Sequence, residues 1–596
     1  MVLFRELKRR KVLHTLSLYV VGCWVALQVV EVLSDAGLPA GTMRRFLWAM
    51  TAGFPIVLVT AWFYDISASG ITRTPQATPS TELPEVNLGD HAILLGLMAV
   101  VTFTAYVLSL PVQPAVDAQA RQRVLVVMPF EDINAADSSG RIGDAFADEL
   151  REELTRIAGL KVFGRETSLA IRSAGDNYNN VAVDLGVTSI LMGDVELHDG
   201  NLEVTTRLIS LPASNVVWRD QQQRNVRDGA KLQRGIVQAV IDTILPAASA
   251  QTTHAPRIEA EECAAGFELY LRGRQLRESS NWDRGIELLE EAVRLAPNCA
   301  VAWDALARAS LLTWSKVDFA KAGAAARRAL ELNESLPASW AILAEIAEEE
   351  KRWNEAEELY LRALYVDPTS ASANVFYAEA LLARGRAREA LHYALEAYRY
   401  EPAWQVAVWK VTLVSRYLGD ADTVIKYANI YRDLRVGREY NGWDELGEGY
   451  RLKGDAETAL SYWGEHPEYF PDWYPQCVRA SIDPAQAEGL PAKVRESLRQ
   501  HLEEDPGSWS HMFEGWQIIR CATWIGEPDI AIDVIEQTEG IPAEAQYLLF
   551  AQADSGILRR TDHFRRKVVE EGLLDYWRTW GWSDYCQPDG DSFVCD

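Results

Sequence analysis

The sequence predicts a multidomain chain in three parts: an α-helical membrane segment, a small α/β domain built on one mixed sheet, and an all-α superhelix of stacked repeats. Three observations predict it. Residues 1–111 contain three apolar runs long enough to cross a bilayer, residues 119–248 alternate strand-like and helix-like patterns, and residues 260–580 carry a recurring helical pattern whose units end on proline. A chain of 596 residues with 48% hydrophobic content is long enough for several cores and too apolar to be mostly disordered. Its 85 acidic and 59 basic residues give a net charge of -26, which argues against nucleic-acid binding, because neutralising phosphates needs clustered Lys and Arg. A basic partner suits this charge better. The 20 Trp fit helical repeats, where large flat side chains fill gaps between helices.

The first run, residues 12–33, follows Arg5, Lys8, Arg9, Arg10 and Lys11. A signal peptide has the same basic start, but its apolar stretch is shorter and ends in a small-residue cleavage site. The second run, residues 46–64, contains Pro55, which membrane helices tolerate where neighbours satisfy the freed carbonyl. Residues 66–90 are rich in Thr, Pro and Ser and read as an exposed linker. The third run, residues 92–111, is uncharged. Five basic residues before the first span place the N-terminus in the cytoplasm, and three spans then export everything after Pro111. Arg44 and Arg45 would sit outside, against the rule but outnumbered. The expected location is the inner membrane, with the C-terminal domains periplasmic.

The cysteines provide an independent check. Cys23 lies in the first run, and the other six follow the last span, an even number that suits an oxidising compartment. Chain proximity favours Cys586 with Cys595, Cys263 with Cys299 and Cys477 with Cys521. No CxxC occurs and no His stands at ligand spacing from Cys586 or Cys595, so no metal site is expected.

In the second part, "RVLVVMPFEDI" reads as a buried strand, and "GDAFADELREELTRIAGL" places Phe146, Leu150, Leu154 and Ile157 at helical spacing, with Gly159 as C-cap. "KVFGR" is a second strand and "NVAVDLGV" a short helix. Three β-rich runs follow, joined at Asp199-Gly200-Asn201, a hairpin signal, and at Pro212-Ala213-Ser214. "KLQRGIVQAVIDTIL" closes the unit near Leu245. Asp132, Asp144, Asp148 and Glu149 read as the solvated face and N-terminal charge of the first helix, with a metal or acid-base cluster as the competing reading. His198 reads as exposed. Residues 123–245 resemble the TolB amino-terminal-like domain of bacterial membrane proteins, through "VLVVMPFEDI", "FADELREELTRIAGLKVFGRETS", "LGVTSILMGDV" and "VVWRD". "FRELKRRKV" and "AWFYDISASGITRT" resemble the membrane portion of the same group. Members of that group carry an adenylate cyclase or winged-helix domain on the cytoplasmic side; no segment here reads as either.

In the third part, "ASWAILAEIAEEEKRWNEAEELYLRALYVDP" puts Trp340, Leu343, Ala344, Ala356, Tyr360, Ala363 and Pro368 at the signature positions of a tetratricopeptide repeat (TPR). The next unit has Ala378, Gly385, Ala390, Ala397 and Pro402, in the same register. Gly273, Ala292 and Pro297 mark a unit upstream, and Trp443, Leu446, Gly447, Tyr450, Gly454, Ala459 and Trp463 one downstream. Small residues let the two helices of a repeat cross closely, and stacking gives a superhelix with a concave face. In TPR proteins the first helix lines that face, out of phase with the signature. Carrying the phase over selects Tyr270, Arg274, Asp304, Arg308, Glu345, Glu348, Glu349, Glu379, Asp444 and Glu448 as partner-binding residues. The groove should be acidic in its middle; the family's carboxylate clamp needs Lys and Asn, so capture of an acidic peptide C-terminus is not expected. The alternative is that "EIAEEEKR" is a solvated helix face. After residue 480 the repeats degrade, "CATWIGEPDIAIDVIEQ" reads as one more helix pair, "LLDYWRTWGWSDYC" as an aromatic cap and residues 581–596 as a tail.

No GxSxG, HExxH, GxxxxGK[ST] or GxGxxG is present, and none of the nine His is paired at i, i+4. The expectation is a protein with no enzyme activity and no cofactor: a membrane-anchored periplasmic TPR scaffold or adaptor with a protein or peptide partner. The alternative is an envelope sensor or regulatory subunit that signals through its spans, where Gly22, Trp24 and Gly53 would either meet a partner or pack the chain's own helices.

Overall fold

The computed structural model describes residues 12, 15–17, 19, 23, 53, 57–67, 70–73, 123–133, 142–245, 260–278, 282–311, 317–435, 441–503, 509–537 and 552–596. The chain divides into two units, Met1–Arg121 and Gln122–Asp596.

In the first unit, most of the expected spans at 12–33, 46–64 and 92–111, and most of the 66–90 linker, lie outside the described residues. No helix among the described residues is long and apolar enough to cross a membrane. A Cβ on Gly53 would collide with the Tyr19 hydroxyl, so this glycine packs against the chain's own first run. Residues 57–63 are helical and lead into an antiparallel pair, β1 (Tyr64–Ser67) and β2 (Gly70–Arg73). The start of the expected linker is therefore paired. The β-branched Ile66, Ile71 and Thr72 flank Gly70, a hairpin pattern that the Thr/Pro/Ser content further along obscures.

The second unit opens with the mixed sheet. The chain runs β3 (Arg123–Val127), β4 (Glu131–Asp132), α1 (Gly143–Leu154), β5 (Leu160–Val162), α2 (Arg165–Ser173), α3 (Tyr178–Asp184), β6 (Ser189–His198), β7 (Asn201–Ser210), β8 (Asn215–Asn225) and α4 (Gly229–Ile244). The strand order is β5-β3-β6-β7-β8, with β4 beside β6. Strand β3 is parallel to β5 and β6, and β6, β7 and β8 form an antiparallel meander. Asp199 and Gly200, with φ of 47° and 73°, make the two-residue turn that matches strand twist. Helix α1 stops earlier than the spacing predicts. Thr155 caps it by donating its N–H to the Arg151 carbonyl and its hydroxyl to the Glu152 carbonyl, and Gly159 instead turns the chain into β5.

Beyond α5 (Ala260–Cys263) the chain folds into antiparallel TPR-like helix pairs: α6 (Phe267–Glu278) with α7 (Trp282–Leu295), α8 (Ala300–Leu311) with α9 (Phe319–Leu332), α10 (Pro337–Glu349) with α11 (Trp353–Val366), α12 (Ala371–Ala383) with α13 (Ala387–Tyr400), α14 (Gln405–Tyr417) with α15 (Ala421–Leu434), and α16 (Trp443–Leu452) with α17 (Ala456–Trp463). Local chemistry sets the helix starts: Asp318, Ser370, Asp420 and Asp455 accept a backbone N–H of the first turn, and Pro337 opens α10. The signature small residues sit where helices touch. A Cβ on Gly273 would lie 2.7 Å from Leu289, and Ala344, Ala356, Ala363, Ala378 and Ala390 are fully buried. The pairing continues where the signature fades, through α18 (Tyr474–Ile482), α19 (Leu490–Glu503), α20 (Trp509–Trp524) and α21 (Pro528–Gln537). There the Cys477–Cys521 disulfide ties α18 to α20.

One hydrophobic core joins the sheet to the first repeats, so Leu125, Phe146 and Leu150 are continuous with Phe267, Tyr270, Leu289 and Val301. The sequence boundary between residues 119–248 and 260–580 is not a break in packing. After α22 (Gly556–Arg559) and α23 (Asp562–Glu570), helix α24 (Leu573–Trp580) returns to the middle of the repeats. There Tyr576 donates to Glu357 at 2.8 Å, and the Trp577 indole donates to the Arg384 carbonyl at 2.9 Å. A final hairpin, β9 (Cys586–Asp589) and β10 (Ser592–Cys595), sets Cys586 opposite Cys595, and the two are bonded. With Cys263–Cys299, all three expected disulfides are present.

Candidate functional site

The site begins with helix α1. Its apolar face, Phe146, Leu150 and Leu154, is core, while Asp148, Glu149 and Glu152 fall on another face one turn long. That face is not solvated, as the charge pattern suggested; Asp148 is 3% and Glu149 0% exposed. It lies on the first helices of the repeats. Tyr270 and Arg274 both contact the Glu149 carboxylate, Arg274 reaches Glu152 at 3.0 Å, and Arg308 approaches Glu152 at 3.8 Å. Gln275 accepts the Ala145 N–H at 3.2 Å. Asp148 is ringed by Arg151, by Arg165 at 2.6 Å and by Arg274 at 3.8 Å. Burial raises its pKa, but these guanidinium groups outweigh burial and hold it down at about 2. Asp132 accepts the N–H groups of Ile142 and Gly143 at 2.7 and 3.0 Å, a capping role, and Asp144 faces Arg165 and Arg172. Among the described residues no three His, Cys, Asp or Glu are grouped to hold a metal. His198 is exposed beside Asp199, as expected.

A second contact lies at the end of α13. Glu401 accepts the backbone N–H and the hydroxyl of Thr167, at 3.0 and 2.7 Å, in the first turn of α2. The residue before that helix is Gly164, and a Cβ there would run into the Glu401 carboxylate. Gly164 leaves space, and Glu401 supplies from the repeats the cap that α2 lacks in its own sequence. Burial pushes the Glu401 carboxyl up to about 7, against the hydrogen bonds from Thr167 and the charge of Arg151.

Between the two contacts lies a cleft of about 420 Å³. One wall is the α/β domain, with Arg151, Arg156 and Arg165; the other is the inner ends of α8, α10 and α12. Ala341, Ile342, Phe376 and Trp404 give it an apolar lining, while Arg308 and Glu345 give it charge.

The ten predicted groove residues separate accordingly. Arg274, Arg308 and Glu345 line the cleft. Tyr270 and Asp304 are buried, Tyr270 against Glu149 and Asp304 against Ser339 at 2.7 Å and Arg308 at 3.2 Å. Glu348 accepts the Tyr360 hydroxyl and faces Arg384 at 3.6 Å, Glu349 is exposed, and Glu379 pairs with Lys410 at 2.9 Å. Asp444 and Glu448 are buried against Arg520, at 3.0 and 2.8 Å, and Glu448 also meets Arg451. The expected acidic groove is thus largely neutralised by the chain's own Arg and Lys. Sequence reasoning missed Glu401, Arg156 and Arg165. The one available signal was that Glu401 stands where the previous repeat has Asp367, which caps its own loop through Thr369.

This geometry defines a helical-repeat protein whose own α/β domain is seated on the inner face of its repeats. No family model matches the chain. It is 23% identical over 181 residues to a Rhizobium meliloti (strain 1021) protein described as "Putative adenylate cyclase 3", covering 30% of this chain and 31% of that one. The chain therefore matches about a third of that relative's length. Among solved structures it is similar to Pseudomonas aeruginosa pilF, with 16% identity, TM-score 0.31, 38% of this chain and 99% of that chain. A second is YrrB, a TPR protein with an unusual peptide-binding site, with 18% identity, TM-score 0.26, 35% and 98%. A third is Naa15/Naa10 bound to HypK-THB, with 14% identity, TM-score 0.23, 52% and 46%. The repeat assignment rests on this chain's own helix pairs and signature positions.

Proposed function

We propose that this protein is a non-catalytic, membrane-anchored TPR scaffold whose α/β domain and repeats act in the periplasm, and that it holds a protein or peptide partner in the cleft between them. The cleft is the observation that carries the reading, because it is the stretch of inner face where apolar and charged side chains meet open space. Two other parts of that face are engaged among the described residues: α1 occupies the first, and Arg520 of α20 covers Asp444 and Glu448. The basic N-terminus, the apolar runs and the TolB-like resemblance support anchoring. Three disulfides support an oxidising compartment. The partial likeness to a cyclase is read as shared accessory sequence, not shared catalysis.

A photoreactive amino acid in place of Ser372, on the cleft wall, tests the reading in producing cells; the control position is Tyr365, which is 79% exposed. Discrete protein adducts from position 372 and none from 365 are expected. Adducts from neither position, or equally from both, contradict it.

A further inference from the structure

We propose that the cleft selects an extended segment of polypeptide that presents an acidic side chain to Arg156 and an apolar side chain to Phe376 and Trp404. The inference rests on the scaffold reading above and adds the chemistry of the partner.

Most of the cations around the cleft are already committed. Arg151 and Arg165 pair with Asp148, Arg274 with Glu149 and Glu152, and Arg308 with Asp304. Arg156 forms no ion pair among the described residues, and its Nη1 is buried without a hydrogen-bond partner. Nη1 itself is covered by protein atoms, but Arg156 lines the cleft, and a carboxylate is the natural partner of an unpaired guanidinium through the donors left open there. Carboxylate recognition is already realised next to it, where α1 delivers Glu149 and Glu152 to Arg274. The chain thus carries an internal example of the ligand chemistry. It departs from the expectation of a basic partner, which rested on the net charge of -26.

The size of the cleft sets the conformation of that segment. A helix is about 10–12 Å across with its side chains, so a space of this size would hold roughly one turn of it. A single turn does not hold its geometry alone, because nucleating the first hydrogen-bonded turn fixes several residues for one hydrogen bond. An extended backbone, with alternate side chains pointing to opposite sides, places one on Arg156 in the α/β wall and the next on Phe376 and Trp404 in the repeat wall.

The test uses the full chain with its disulfides intact and fluorescein-labelled octapeptides of Ala, Ser and Gly carrying one Leu beside one Glu. Gln and Lys replace the Glu in two companion peptides. By fluorescence anisotropy the Glu peptide should bind at least about ten-fold tighter than the Gln peptide, the scale of one hydrogen bond to a charged group. Arg156→Gln should abolish that preference, and Arg156→Glu should transfer it to the Lys peptide. Arg156→Gln alone decides the question if Arg156→Glu unfolds, as judged by circular dichroism. No binding of any peptide to the unsubstituted protein, equal binding of the Glu and Gln peptides, or a Glu preference that survives Arg156→Gln overturns the proposal. If adducts still form at position 372 in that case, the scaffold reading stands and only the acidic segment is lost.

Discussion

The Glu401 contact makes the docking of the α/β domain sensitive to pH, and its size can be worked out. The carboxyl rises from 4.5 to about 7 on burial, with Arg151 opposing the rise and Glu166 adding to it. A raised acid pKa means that the docked state prefers the proton. The stability it contributes is fully present below 4.5 and is lost as pH rises through 7. A shift of that size corresponds to about 3 kcal/mol in all, of which about 2 kcal/mol falls between pH 5.5 and 8. The assay is amide hydrogen exchange in the first turn of α2, where the Thr167 N–H reports the contact directly. Protection, corrected for intrinsic exchange, should fall roughly twenty- to thirty-fold from pH 5.5 to 8 in the unsubstituted protein, following those 2 kcal/mol. Glu401→Gln keeps an acceptor for Thr167 but removes the titration, so its protection should be flat over the same range. If the two proteins lose protection in parallel, burial of Glu401 does not control the contact and the reasoning fails.

Other substitutions test the remaining joints. Arg274→Gln strands the buried Glu149 carboxylate and should cost about 3–5 kcal/mol in urea unfolding, while the double change Arg274→Leu with Glu149→Leu should recover much of that. Opening single disulfides by Cys→Ser should destabilise in order of loop length. Cys477–Cys521, with a separation of 44, should cost the most and Cys586–Cys595, with 9, the least; the chain-entropy scale is about 4 against about 2.5 kcal/mol. Gly447→Ala drives a methyl group into the Trp463 ring and should cost about 1–3 kcal/mol, measured by the same unfolding.

What could be read in the sequence follows from distance along the chain. The Asp199-Gly200 turn, the apolar face of α1, the Ala and Gly of helix crossings and the three disulfide pairs depend on local spacing, and each appears where the pattern puts it. The repeat phase also singled out Arg274, Arg308 and Glu345 from the primary structure, and these do line the cleft. Their occupant was not legible. Arg274 meets Glu149 across 125 residues, and Glu401 meets Thr167 across 234, so nothing in either local pattern distinguishes a buried ion pair from a solvated helix face. The return of α24 to the middle of the repeats was hidden for the same reason. Its aromatic composition marks a surface to be covered but not which surface, and Glu357 and Arg384 are what it covers.

Whether the cleft faces an oxidising compartment beyond the membrane decides which partners can ever reach it. The direct measurement is thiol labelling with a membrane-impermeant reagent, on intact and permeabilised cells, before and after reduction, with each cysteine mapped. Cys263, Cys299, Cys477, Cys521, Cys586 and Cys595 should react only after reduction and without breaching the inner membrane. Free thiols at these positions, shielded until that membrane is opened, would place the repeats in the cytoplasm and contradict the proposed export.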